Sequence, residues 1–337
     1  MATRSDTEIP AQWLEPTIHS LYFVALLRTF NAPPELFAKY ANITPTLHSF
    51  LEMHTLIEET GIRGDTVQGI RFGASVLPTE HGLMGQALMS ANTLRDSLQI
   101  LRQFCPIRNR LFRYGYTSNQ LGDTLTITPN FAMGAFENFV TAATLLTFAR
   151  AACIVLGPGA EQDIMLDVPW PDDARQAITN LMGLAPPKQS RGTTASLFIT
   201  RNALLRPNPA RDPVQFDLAV RGCQDELARF EGGVTSQVKA ILMGCDAEWF
   251  DLRDVAGRLH MSRRTLIRKL KAENTSFMHL LDDVRCNRAC WHLRRNKHSI
   301  AEIALRLGYQ DESNFSRTFR KWKCTTPTEY RYGGQDM

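Results

Sequence analysis

Ser299-Ile-Ala-Glu-Ile-Ala-Leu-Arg-Leu-Gly-Tyr309, followed by Ser313-Asn-Phe-Ser-Arg-Thr-Phe-Arg-Lys-Trp322, decides the fold of the last third of this 337-residue chain. Ile300, Ile303, Ala304 and Leu307 stand at i, i+3, i+4 and i+7, the spacing of one buried helix face. Ala304 is small where a second helix must come close, Gly308-Tyr309 supplies a tight turn, and Phe315 and Phe319 give the following helix an inward stripe. Leu252, Val255, Ala256 and Leu259 show the same spacing 48 residues earlier. Leu266, Arg268 and Leu270 then match Phe315, Arg317 and Phe319 at an offset of 49, so one supersecondary unit occurs twice. An apolar-striped helix from Phe277 to about Leu293 joins the copies.

Each copy reads as a helix-turn-helix, a motif whose second helix enters the DNA major groove. In the first, Ser262 is a natural N-cap, and Arg263, Arg264, Ile267, Arg268 and Lys271 lie off the inward stripe. In the second, Glu312, Ser313, Asn314, Ser316, Arg317, Arg320 and Lys321 surround the two phenylalanines. Such side chains hold phosphates and read base edges. A solvated amphipathic hairpin is the plain alternative for either copy alone; a duplicated unit with two basic second helices argues against it. Charge points the same way. The overall balance is only +4, but residues 1–233 hold 19 Lys+Arg against 22 Asp+Glu, and residues 234–337 hold 19 against 12. The basic excess therefore lies where an anionic partner is expected.

The segment Leu252 to Arg331, including the two stretches quoted above and Thr326-Pro-Thr-Glu-Tyr-Arg331, resembles the paired helix-turn-helix domain of AraC-type transcription regulators. The resemblance implies that the linker helix sets two recognition helices in successive major grooves, about 34 Å apart. It also implies that Arg264, Arg268, Ser313 and Arg317 face bases, while Lys271, Arg320 and Lys321 meet phosphates or solvent. Arg263 and Asn314 complete the candidate set. Since Arg268 and Arg317 are repeat-equivalent, bracing each helix on the DNA backbone is the competing role for that pair. Three positions depart from the family's usual glycine: His260, Asn274 and Cys324. Asn and His tolerate a left-handed backbone comparatively well, whereas Cys has no such tolerance.

The first two thirds read as α+β. Helices are expected on the stripe Phe23, Leu26, Leu27 and Phe30, from Pro33-Pro34, from Thr44-Pro45 with Leu47, Leu51, Leu56 and Ile57, and after the cap Thr93. A hairpin between about Leu111 and Pro129 precedes a long apolar helix to Leu156, a strand at Ile164–Val168, a helix opened by Pro171-Asp172-Asp173 and a strand at Ser196–Thr200. The helix to Leu156 approaches membrane-spanning length, but it contains Arg150 and is expected to be a buried helix rather than a membrane span. Gly82-Leu-Met-Gly-Gln-Ala-Leu-Met-Ser90, Thr93-Leu94 and Leu204-Leu205-Arg206-Pro207 are similar to the effector-binding domain of the ornithine-utilisation-regulator-like branch of the same family. The expected domains are 1–210 for effector binding and dimerisation, 211–233 as helix and linker ending at Gly232-Gly233, and 234–337 for DNA.

No G-x-G-x-x-G, Walker loop or G-x-S-x-G occurs, and the eight histidines have no metal-ligand spacing, so no catalytic residue, metal or cofactor is expected. Seven cysteines without a C-x-x-C pair suggest reduced thiols, and nothing after Met1 resembles a secretory signal; a bacterial cytoplasm is expected. Cys286 and Cys290, four apart on the linker helix, are read as packing rather than as a metal or thiol switch. Phe112, Tyr114, Tyr116, Phe131 and Phe136 are candidate effector contacts, with plain core as the alternative. Two chains are needed for four recognition helices, so a homodimer on promoter DNA, activating through RNA polymerase in response to a small molecule, is the expected assembly. Two other readings stand beside it: a redox or alkylation sensor built on Cys105, beside Arg108 and Arg110, and a constitutive DNA binder whose first domain only dimerises.

Overall fold

The computed structural model of the protein describes residues 9–41, 47–105, 108–190, 194–243, 245 and 249–332. They fall into two compact units, one of Thr17–Leu47 and Ile57–Phe230, the other of Met1–Pro16, His48–Leu56 and Glu231–Met337. This differs from the sequence expectation in two places. The segments around Trp13 and Phe50 cluster with the last third, because Trp13 packs on Phe50, His54 and Trp291 with ring centroids 4.8–5.2 Å apart. Residues from Pro213 to Phe230 go with the first unit, anchored by buried Ala219 and Cys223.

In chain order the elements are β1 (Pro16–His19), α1 (Leu21–Thr29), α2 (Pro34–Ala41), β2 (Leu47–Ser49), α3 (Phe50–Glu59), α4 (Thr66–Ser75), α5 (Leu83–Ser90), α6 (Leu94–Phe104), β3 (Phe112–Ser118), β4 (Gly122–Pro129), α7 (Glu137–Leu156), β5 (Ile164–Val168), α8 (Asp172–Met182), β6 (Lys188–Gln189), β7 (Ala195–Thr200), α9 (Arg201–Leu205) and α10 (Pro213–Gly232). The helix expected from Thr44-Pro45 begins instead at Phe50, with Leu47 in a strand; Thr44 and Pro45 themselves lie outside the described residues. The cause is a capping box: Ser49 Oγ accepts from the Glu52 backbone N–H at 3.2 Å, and the Glu52 carboxylate accepts from Ser49 N–H at 2.6 Å. Thr93 caps α6 in the same reciprocal way with Asp96.

The first unit is α+β. Its five-stranded sheet has the order β3-β4-β7-β5-β6, antiparallel except for the β5–β6 pair. The apolar helix α7 is long enough to cross a membrane, yet its residues are mostly buried within the unit. Gly69 and Gly73 on α4 make that burial possible. A Cβ at either would stand 2.3 Å from a main-chain oxygen of α7, and Phe72 stacks on Phe139 beside them.

The second unit ends with α11 (Val234–Met243), α12 (Leu252–Arg258), α13 (Arg263–Ala272), α14 (Phe277–Arg295), α15 (Ile300–Arg306), α16 (Glu312–Lys323) and α17 (Pro327–Tyr332). Ala289, Cys290, Leu293, Ile303, Ala304, Leu307, Phe315 and Phe319 form one fully buried cluster, against which Cys286 also packs. The α10 helix is interrupted from α11 at a single residue, Gly233, and Glu273 at the end of α13 accepts the Val234 and Thr235 backbone N–H groups at 2.9 and 2.8 Å. That carboxylate satisfies two orphan donors of α11 and favours the positive end of its dipole.

Candidate nucleic-acid interface

The helix pairs α12–α13 and α15–α16 are set by their caps. Asp251 and Ser299 open the first helix of each pair through capping boxes with Asp254 and Glu302. Ser262 caps α13 by accepting the Thr265 N–H at 3.1 Å, and Asp311 caps α16 by accepting the Asn314 N–H at 2.7 Å. Sequence reasoning found Ser262 but not Asp311, although an Asp three residues before a helical polar residue is the ordinary signal. The turn of the second pair requires Gly308: its φ is +77°, and a Cβ would lie 2.7 Å from the Trp249 ring. His260, at the matching turn, takes φ +52°; Asn274 and Cys324, past the ends of α13 and α16, take +56° and +57°. All three non-glycine departures thus keep the left-handed backbone that glycine adopts most easily.

Within α13, Leu266 and Leu270 are fully buried, which turns the opposite face to solvent. Arg263, Arg264, Arg268 and Lys271 are all exposed there. With Leu252, Ser262 and Ile267 they line one open depression. Ile267, 51% exposed, is the apolar member of this face, and an apolar side chain among cations is suited to a thymine methyl group. Within α16, buried Phe315 and Phe319 leave Ser313, Arg317, Arg320 and Lys321 exposed. Asn314 is different. It is half-buried, its Nδ2 donates to Asp311 Oδ2 at 2.7 Å, and its Oδ1 accepts from Arg317 Nη2 at 2.6 Å. Asp311–Asn314–Arg317 is therefore a chain that holds the Arg317 guanidinium in place.

Of the five aromatic side chains considered for effector contact, Phe112 and Tyr114 are ring neighbours, with centroids 6.5 Å apart. Phe112 is buried; Tyr114 packs edge-on against Phe148 at 5.6 Å; the Tyr116 hydroxyl donates to Asp123; Phe136 covers Gly64; Phe131 is half-buried. Cys105, the thiol of the alternative redox or alkylation reading, is not activated. It is buried, and burial pushes its pKa up to about 12 despite the opposing charge of Arg108 and a side-chain hydrogen bond with Tyr114. Adjacent positive charge lowers a thiol pKa only where the thiolate is not desolvated to this degree.

A helix-turn-helix family model matches residues 255–332, and the model described as the arabinose-binding N-terminal domain of AraC transcription regulators matches residues 23–208. The chain belongs to the AraC family of transcription regulators. Over 287 residues it is 26% identical to the ornithine utilization regulator of Pseudomonas aeruginosa, covering 84% of each chain. An uncharacterized HTH-type transcriptional regulator of Mycobacterium bovis is 27% identical over 279 residues, covering 79% of this chain and 78% of the relative. The crystal structure of the regulator CdpR from Pseudomonas aeruginosa aligns over 92% of this chain and 98% of its own, with 20% identity and a TM-score of 0.47. AraC-type regulators bind promoter DNA and carry a ligand-binding N-terminal domain, and this protein is accordingly a DNA-binding transcription regulator rather than an enzyme.

Proposed function

We propose that this regulator is a cytoplasmic homodimeric activator, paired through residues 1–210, that places residues 234–337 of each chain on two half-sites and touches RNA polymerase when an effector is bound. The observation that carries the reading is the exposed basic face on each second helix, with its stripe of Leu266 and Leu270 or Phe315 and Phe319 wholly buried behind it. Arg264, Arg268, Ser313 and Arg317 read bases, Arg263, Lys271, Arg320 and Lys321 meet phosphates, and Asn314 positions Arg317. Effector binding in the first domain reaches the DNA-binding helices through α10 and the break at Gly233, and a coupling of about 1–3 kcal/mol changes operator affinity by roughly 5–150-fold. The test is titration of an operator, obtained by in vitro selection, across a range of salt concentrations. The expected result is a steep loss of affinity, with a log–log slope of about −0.9 for each phosphate neutralised; a flat response overturns the reading. Light scattering tests the dimer, and a monomeric protein on and off the operator removes it.

A further inference from the structure

Among the buried groups of the first unit, one cluster has the chemistry of a receptor. Arg108 is 1% exposed and lies between α6 and β3. Its Nη1 and Nη2 donate to the two carboxylate oxygens of Glu226 at 2.5 and 2.7 Å, and its Nε donates to the His81 carbonyl at 3.1 Å. His19 adds a third donor. Its Nδ1 accepts the Leu21 N–H at 3.1 Å, which leaves the proton on Nε2, 3.2 Å from Glu226 Oε1. The Tyr22 hydroxyl and His81 Nδ1 are hydrogen-bonded at 3.0 Å, and burial together with the charge of Arg108 holds the His81 pKa down at about 3, so that imidazole stays neutral beside the guanidinium. Every component of a bidentate carboxylate site is present on the body of the unit. The carboxylate itself comes from α10, the helix that runs on to Gly233 and the DNA-binding helices.

Nothing in stability alone requires a charge here, since a buried ion pair is often no better than an apolar pair of the same volume. A charged pair placed on the connecting helix does allow one exchange that an apolar pair does not: replacement of the carboxylate by another. We propose that Arg108, His19 and the surrounding residues form a recognition site for a small organic carboxylate, that Glu226 is its resident internal ligand, and that the effector's carboxylate displaces Glu226 and frees α10. Tyr114, next to Cys105 in the same cluster, is the candidate effector aromatic that adjoins this site. The proposal deepens the regulator reading by naming the effector's chemical class, and rests on that reading only for its consequence at the operator.

The experiment uses the full-length protein and propionate and benzoate as probes, with propionamide, benzamide, chloride and sulfate as controls at equal ionic strength. Glu226→Ala leaves Arg108 unoccupied and is expected to bind benzoate or propionate by calorimetry at least tenfold more tightly than the unaltered protein, which must first give up Glu226. Glu226→Gln, which keeps the volume, is expected to show the same direction with a smaller change, and serves if the alanine variant does not fold. Arg108→Gln combined with either variant is expected to abolish the effect. Equal binding of amides, equal binding of inorganic anions, or no gain on removing Glu226 overturns the proposal. Operator affinity is measured separately. Loss of all DNA binding refutes the regulator reading while leaving the carboxylate site standing, and carboxylate binding that leaves operator affinity and transcription unchanged refutes the coupling.

Discussion

Replacing Asn314 by Ala tests whether the recognition surface of α16 is organised before it meets DNA. The side chain makes two hydrogen bonds, to Asp311 at 2.7 Å and from Arg317 at 2.6 Å, and the helix cap survives because it uses the Asn314 backbone N–H. A net hydrogen bond is worth about 0.5–1.5 kcal/mol, and a bidentate arginine–guanine contact about 1–3 kcal/mol. Asn314→Ala should therefore weaken operator binding by roughly 2–12-fold, and Arg317→Ala by roughly 5–150-fold. If Asn314 acts through Arg317, the double variant should bind like Arg317→Ala alone, with a coupling energy of about 0.5–1.5 kcal/mol. The assay is fluorescence anisotropy on the selected operator and on a random duplex at one fixed salt concentration. Additive losses, or an Asn314→Ala loss of equal size on random DNA, would refute the positioning role and make Asn314 an independent contact.

Arg264→Ala and Arg268→Ala are each expected to cost about 1–3 kcal/mol on the operator with little change on random duplex; equal losses on both duplexes for Arg268→Ala would instead assign it, with its repeat-equivalent Arg317, to bracing the helix on the backbone. Lys321→Ala should weaken operator and random DNA alike and make the salt slope shallower by about 0.9. The Glu226 carboxyl would be raised by burial, but hydrogen bonds from His19 and Arg108 and the Arg108 charge overcome this and hold it at about 2, below its ordinary 4.5. A carboxyl depressed in the folded state stabilises above its unfolded pKa. Stability should therefore fall as pH drops from about 4.5 toward 2, and urea midpoints of Glu226→Gln should depend less on pH through that window. Cys324→Val, a β-branched side chain at φ +57°, should lower the unfolding free energy obtained from urea titration by about 1 kcal/mol or more, whereas Cys324→Gly should not.

The legible parts of this protein were those with a local cause. The repeated i, i+3, i+4, i+7 stripes at Leu252–Leu259 and Ile300–Leu307 mark helices whose buried members the fold retains, and the outward cations of α13 follow from the positions of Leu266 and Leu270. Ser49-x-x-Glu52 is equally local, but the Thr44-Pro45 pair before it carries the stronger start signal and points five residues too early. What the pattern did not disclose was long-range. Arg108 and Glu226 are 118 residues apart, and nothing near either announces the pairing. The Cys105 alternative could be weighed only in part for the same reason: neighbouring arginines are visible in sequence, while the burial that outweighs them is not.

Trp291 on α14 has Trp13 and His54 against its ring, and Arg294 donates to the Thr55 carbonyl from the same helix. Residues 13, 54 and 55 thus complete the surface of a part formed mainly by residues more than 230 positions later. A single crossover at the codon for Gly233 would separate them, leaving a fragment with an uncovered indole and a sensor piece with an orphaned aromatic cluster. Recombination among such regulators is therefore constrained: an exchange that preserves folding must carry two short upstream segments along with the downstream third, and chimeras cut once are expected to accumulate as insoluble protein.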